Sequence, residues 1–283
     1  MNIQLMTDGG ADIPNWLKES LHIKIVPLYL HFSDEQYNSD QVESQKLFKK
    51  IKDLKELPRS STPSPNDFYQ YYKEMDPNKP ILMLSISGGL SSSYENAVAG
   101  KNMILEEEPN RQIEVINTKT ASCGIALLLH ESGRKIEEGL TFDELVEHIH
   151  GRVQQTATLF VLKTLENLVI GGRLDKVKGT IAKTLNIRLL MRGSEEGTIE
   201  VSEKVRGDKK SIRRLIEQIG EQAKNMEDKI ISMSHGDDEE RAKTILSQIQ
   251  ENFKFKDALL METGPLISTY GGEGAIVISF FKD

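Results

Sequence analysis

The chain has one cysteine in 283 residues, no long apolar run and no surplus of positive charge, and each scarcity removes a class of protein. Cys123 has no partner for an internal disulfide, which fits a reducing compartment; beside Ile125 and Leu127 it reads as a small packed side chain. Apolar stretches such as Ile125 to Leu129 fall far short of the roughly 20 residues a helix needs to cross a bilayer. Met1 to Met6 carries neither a basic flank nor a cleavage site, so the expected location is cytoplasmic, without stable membrane insertion. Acidic residues outnumber basic ones by 43 to 36, and the resulting net charge of -7 argues against nucleic acid as a partner.

The standard catalytic patterns are missing as well. There is no Gly-x-Ser-x-Gly elbow, no phosphate loop with its lysine and no Gly-x-Gly-x-x-Gly fingerprint, so hydrolase and nucleotide-binding readings lose their usual anchors. The six histidines form no ligand set. His148 and His150 sit two apart on an expected helix, diverge, and read as solvated; His235 before Gly236-Asp237 reads as a cap or surface residue. No metal and no cofactor are expected.

What is present is enough hydrophobic sequence, 38%, for one large domain or two ordinary ones. Three segments repeat one plan of strand, small polar loop and helix: Asn2 to Met6 into Thr7-Asp-Gly-Gly, Ile81 to Leu84 into Ser85-Ile-Ser-Gly-Gly-Leu-Ser, and Glu114 to Ile116 into Asn117-Thr-Lys-Thr. This βαβα alternation predicts a mostly parallel sheet with its loops gathered at the carboxyl ends of the strands, where open α/β sheets bind ligands. Ile23 to Leu30 reads as a further strand. A helix over Gln41 to Leu54 is expected to be capped by Ser39 or Asp40, and one over Phe68 to Glu74 by Asn66. Between them the prolines of Pro58 to Pro65 argue against regular structure.

The rhythm changes near Thr156. Short strands at Leu159 to Leu162, Ile187 to Met191 and Thr198 to Val201 mix with helices at Val177 to Leu185, Lys209 to Met226 and Asp238 to Phe253. A Gly-rich loop from Gly264 then enters a last apolar strand. The fold class expected is α/β in two domains, an N-terminal mostly parallel α/β sheet domain over 1–156 and a C-terminal α+β domain over 157–283. The 58–75 region is expected to pack with the second.

A surplus of hydroxyls without a base stands out at Ser60, Ser61, Thr62, Ser64, Ser85, Ser87, Ser91, Ser92 and Ser93, and again at Ser268, Thr269 and Tyr270. Hydroxyls and backbone amides hold a carboxylate or phosphate without doing chemistry, which favours a binder. An enzyme acting on a small anionic metabolite would need Asp8, Tyr270 or Glu273 as acid or base. The plainer reading has Asp8 satisfying loop amides, Asp12 capping the first helix and Glu273 lying in an exposed turn. Lys204, Arg206, Lys209, Lys210, Arg213 and Arg214 form either a solvated face or a docking surface for an acidic protein, and Arg173 follows a double glycine in an expected exposed turn.

Five motifs in order resemble the DegV family of bacterial fatty-acid-binding proteins, the lipid-carrying subunits of fatty acid kinase. They are Thr7-Asp-Gly-Gly-Ala-Asp-Ile-Pro14, Arg59-Ser-Ser-Thr-Pro-Ser64, Ile86-Ser-Gly-Gly-Leu-Ser-Ser-Ser-Tyr94, Leu165-Glu-Asn-Leu-Val-Ile-Gly-Gly-Arg-Leu174 and Leu185-Asn-Ile-Arg188. The resemblance implies a long-chain fatty acid in a tunnel between two domains, its carboxylate presented to a separate kinase subunit that makes an acyl-phosphate for phospholipid synthesis. It implies carboxylate donors at Ser60 or Ser61 and at Ser87, and kinase docking at Arg173 and Arg206. Two positions depart from the family pattern. Gly88 replaces the second serine of Ile-Ser-Ser, and Tyr270 stands where a histidine is expected; its phenol can donate one hydrogen bond but carries no positive charge.

Overall fold

The computed structural model describes residues 2–174 and 187–283. The helix expected over 177–185 and the first half of the motif at 185–188 lie outside the described residues.

The chain opens with β1 (Gln4–Asp8), α1 (Asn15–Ser20) and β2 (Lys24–Val26), then passes Pro27 into β3 (Tyr29–His31). The single strand expected over 23–30 is therefore two strands in two sheets, because the proline has no N–H to continue the first ladder. After β4 (Gln36–Asn38), α2 starts at Ser44 and runs to Leu54, later than expected, since the Ser39 hydroxyl is taken up by the Leu28 N–H at 3.0 Å. The proline-rich stretch also departs from expectation. Arg59–Ser61 between Pro58 and Pro63 keeps all its donors and forms β5, paired antiparallel with β3. In α3 (Pro65–Glu74) the cap is Ser64 rather than Asn66; its hydroxyl accepts from Asp67 N, Asp67 answers, and Pro65 takes the first helical position.

Then follow β6 (Ile81–Ser85), α4 (Ser93–Glu107), β7 (Ile113–Asn117) and α5 (Cys123–Glu137). The four-stranded sheet has the order β2-β1-β6-β7 and is parallel throughout, so the loops after Asp8, Ser85 and Asn117 meet at one edge.

α6 (Phe142–Gln155) leads into β8 (Thr156–Val161) and α7 (Glu166–Ile170); β9 (Ile187–Gly193) and β10 (Ile199–Arg206) form a hairpin. The rest is α8 (Asp208–Gln222), β11 (Ile230–His235), α9 (Glu239–Asn252), β12 (Asp257–Glu262), α10 (Pro265–Gly271) and β13 (Ile276–Phe281). Where a Gly-rich loop was expected, Pro265 opens a helix and Gly272, at φ 72°, ends it. The six-stranded sheet runs β10-β9-β8-β13-β11-β12, parallel only between β11 and β12.

Strand alternation sorts β8 into two layers. Ala157, Leu159 and Val161 pack with Leu215 and Ile249 of α8 and α9, while Phe160 joins the core around α5. That helix lies between the two sheets. Its first residue, Cys123, is fully buried and donates to the carbonyls of Ser232 and Val277 at 3.5 and 3.4 Å, and burial pushes its thiol up to about 11. A packed rather than reactive thiol follows.

Candidate functional site

Between the inner face of the six-stranded sheet and the loops ending the parallel strands lies a cavity of about 120 Å³. Its walls are mostly apolar, with Leu28, Ile86, Phe160, Leu162, Leu168, Ile199, Leu266 and Val277 among them, and Ser60, Tyr270 and Arg173 mark its polar part.

Period-two alternation on β5 decides between the two expected serines. Ser60 lines the cavity and shares a 2.5 Å hydrogen bond with the Tyr270 hydroxyl, whereas Ser61 turns outward and pairs with His31 Nε2 at 2.7 Å. Ser61 is thus removed from the site. Tyr270 stands in the last turn of α10, and its ring fits because residue 171 is glycine: a Cβ there would lie 2.4 Å from Tyr270 Cε1. The Arg173 guanidinium sits 5.2 Å from the ring centroid, an attraction worth about 0.5–2 kcal/mol according to exposure. It also donates from Nε to Leu90 O at 3.2 Å and from Nη1 to Gly171 O at 2.5 Å. Instead of extending from an exposed turn, Arg173 is half-buried at the site. Arg206, at the end of the edge strand β10, is exposed and away from the cavity, so the structure does not bring the two arginines together there.

Ser87 does not line the cavity. It is fully buried, donates to Gly197 O at 2.7 Å and accepts from Gly89 N at 3.1 Å, so its one proton is spent on the turn between β9 and β10. Gly88 gives its N–H to Asn117 Oδ1 at 3.2 Å and has no hydroxyl to offer; a Cβ there would meet Asn117 Nδ2 and Glu95 Oε1, each at 3.1 Å. It lines an adjoining polar cavity instead.

The candidate acids are structural. Asp8 is fully buried and accepts from Gly10 N, Ile86 N, Ser85 Oγ and Ser93 Oγ at 2.6–3.1 Å; burial raises its pKa against these four hydrogen bonds. It ties the first loop to the second as the loop-amide reading foresaw. Asp12 does not cap α1, whose cap is Pro14 with no side-chain bond. Asp12 is buried, accepts from Ser122 Oγ and from Gly264 N at 2.7 Å, and burial pushes its carboxyl up to about 7. Glu273 pairs with Lys52 at 2.5 Å. His148 is also not simply solvated, since its Nε2 meets Glu131 Oε1 at 2.7 Å; burial works against the Glu131 charge, but bonds from Arg134 and His148 hold the carboxyl down at about 2. His235 is buried and accepts the N–H of Asp238, the residue that precedes α9, at 3.3 Å, so it neither lies at the surface nor bonds a helical N–H.

Lys119, Thr120 and Thr158 also line the cavity, and sequence reasoning missed them. Thr120 and Thr158 join at 2.7 Å and Thr158 joins Ser279 at 2.9 Å, linking the third loop to the inner face of the sheet. The strand, loop and helix plan pointed to that loop; nothing marked Thr158, which meets it only across the fold. Among the described residues no cluster of three or more His, Cys, Asp and Glu could hold a metal ion, and no helix is long and apolar enough to cross a membrane.

The sequence model of the family described as "Uncharacterised protein, DegV family" matches residues 2–283. The chain belongs to the DegV family. A DegV domain-containing protein of Streptococcus pyogenes serotype M1 is 32% identical over 99% of both chains. Among solved structures, this DegV protein is similar to a DegV family protein of Ruminococcus gnavus refined with vaccenic acid, at 30% identity and a TM-score of 0.93 over 99% of each chain. It is also similar to the Streptococcus pneumoniae Fatty Acid Kinase (Fak) B3 protein loaded with linoleic acid, at 29% identity and a TM-score of 0.90 over 100% of each.

Proposed function

We propose that this DegV protein binds a long-chain fatty acid and presents its carboxylate to a separate kinase subunit, which makes an acyl-phosphate for phospholipid synthesis. The observation that carries the reading is the Ser60–Tyr270 pair, with Arg173 over the tyrosine ring, in a mostly apolar cavity. The tail supplies most of the affinity, at about 0.8 kcal/mol per buried methylene before ordering costs. The two hydroxyls orient the head group, and Arg173 offsets its charge. Residues 1–156 and 157–283 act as the two units that enclose the ligand. Arg206 serves kinase docking from the exposed edge strand. The reading calls for no cofactor and a cytoplasmic setting.

Organic extraction of the purified protein, or incubation with fatty acids, followed by mass spectrometry tests it. A retained or captured long-chain fatty acid is expected; a chain that never holds one overturns the proposal. With a kinase subunit added, Arg206→Ala is expected to keep fatty-acid binding and lose acyl-phosphate formation. Of the three groups the alternative enzyme would use, Asp8 is enclosed by four donors and Glu273 is paired to Lys52, which leaves Tyr270 at the cavity.

A further inference from the structure

At the opposite end of α5 from the Ser60–Tyr270 cavity, a groove of about 710 Å³ opens between α1 and α5 on one side and the starts of β11 and β12 on the other. Its floor is apolar, with Leu17, Leu21, Leu127 and Phe281 each at most 7% exposed. Beside that floor stands Trp16, the chain's single tryptophan, 55% exposed, with the His130 ring meeting it edge to face at 6.5 Å. A large aromatic surface left open next to a concave apolar floor is the part of this groove that folding alone does not use.

The charges in the groove are unevenly partnered. Glu131 is buried and already met by Arg134, His148 and Arg152. Arg152 lies over the Phe281 ring at 4.8 Å, and its Nε is buried without a hydrogen bond. Lys229 is only 9% exposed; one of its three N–H groups meets Lys224 O at 2.6 Å, and no carboxylate among the described residues forms an ion pair with it. Burial lowers its pKa, Asp283 works the other way, and the nearby Arg152 lowers it further. Lys256 N donates to Lys229 O at 2.8 Å, so a second lysine lining the groove, exposed and without an ion pair among the described residues, starts beside the first. The remaining acids that line it, Glu137, Asp228 and Asp257, are exposed, where water screens them.

A buried ammonium with one carbonyl partner is held at a cost that a bound anion would offset. An inorganic anion would leave the apolar floor uncovered, and an aliphatic one would leave the indole without a ring to pack against. We propose that this groove binds a small aromatic carboxylate, its ring against Trp16 and the floor and its carboxylate between Lys229, Lys256 and Arg152. The site is separate from the fatty-acid cavity and does not depend on that reading.

The single tryptophan makes the test specific, because the full chain has one indole N–H resonance in nitrogen-edited proton NMR and it belongs to Trp16. The probes are 2-naphthoate, its uncharged counterpart 2-naphthamide, and palmitate. 2-Naphthoate is expected to shift the resonance saturably, and 2-naphthamide to bind at least tenfold more weakly. Lys229→Met and Lys256→Glu are each expected to weaken 2-naphthoate at least fivefold and to change palmitate affinity by less than twofold; Lys256 is exposed, so its variant keeps the fold even where Lys229→Met does not. An unmoved Trp16 resonance, equal binding of the amide, or 2-naphthoate affinity unchanged by Lys256→Glu overturns the proposal. Displacement of 2-naphthoate by palmitate puts the probe in the fatty-acid cavity and overturns it too. Palmitate that binds nowhere overturns the fatty-acid reading, while a shifted Trp16 resonance in the same sample still supports the groove.

Discussion

At the cavity Ser60 reaches inward from β5 and meets Tyr270, while Ser87, after β6, is buried outside the lining and holds the Gly197 carbonyl. Both serines come from hydroxyl-rich loops and both bonds cross between distant parts of the chain. Their surroundings separate them. Ser60 borders empty space and pairs with a group that can accept or donate, so a ligand can enter the pair; Ser87 is walled in and its partner only accepts. A hydroxyl in a motif is thus a binding group only where the fold leaves it a free direction.

The strongest way to break that contrast is to remove the carboxylate that positions the Ser87 loop. Asp8→Ala leaves Gly10 N, Ile86 N, Ser85 and Ser93 without their acceptor and is expected to cost about 3–5 kcal/mol in denaturant unfolding. A loss under about 1 kcal/mol would show the four bonds to be replaceable. The next effect concerns the bond across the fold at Asp12. Its carboxyl pKa rises from 3.8 unfolded to about 7 folded, so between those values the native state holds a proton that the unfolded state has released. The contribution of Asp12 to stability therefore falls as pH rises from about 4 to about 7, and Asp12→Asn is expected to remove that slope from the stability profile.

The serine contrast itself is sharpened by affinity. Ser60→Ala and Tyr270→Phe should each weaken fatty-acid binding by about fivefold, the worth of one hydrogen bond of about 1 kcal/mol, and by less than additively when combined. Ser87→Ala is expected to cost about 1 kcal/mol of stability and to change affinity less than either. Equal affinity losses in titration calorimetry would put Ser87 back at the head group. The smallest effect expected is at Glu273→Gln, which breaks an exposed pair with Lys52 and should leave both unfolding and fatty-acid binding unchanged.

Much of the fold was legible because hydrophobic periodicity and loop composition are local. The three parallel strands, their loops and the β9–β10 hairpin each announce themselves within a few residues. The errors have local causes too. Pro27 split a strand, and Pro58 and Pro63 bracketed a pairable triplet rather than preventing it. Ser64 took the capping place given to Asn66 because Asp67 could answer it. Of the site, Ser60, Arg173 and Tyr270 were marked by motif; Lys119, Thr120 and Thr158 were not, since their role comes from what lies opposite.

The sequence by itself determined the strands, the helix faces, the hydroxyl-rich loops and membership of the DegV family, all of which depend on residue identity and spacing along the chain. Only the tertiary structure decided that Ser60 faces Tyr270, that Ser61 and Ser87 turn away, and that Arg173 stands between an apolar cavity and a polar one. A hydroxyl carries one proton, and which acceptor it reaches is set by strands and turns up to 210 residues apart.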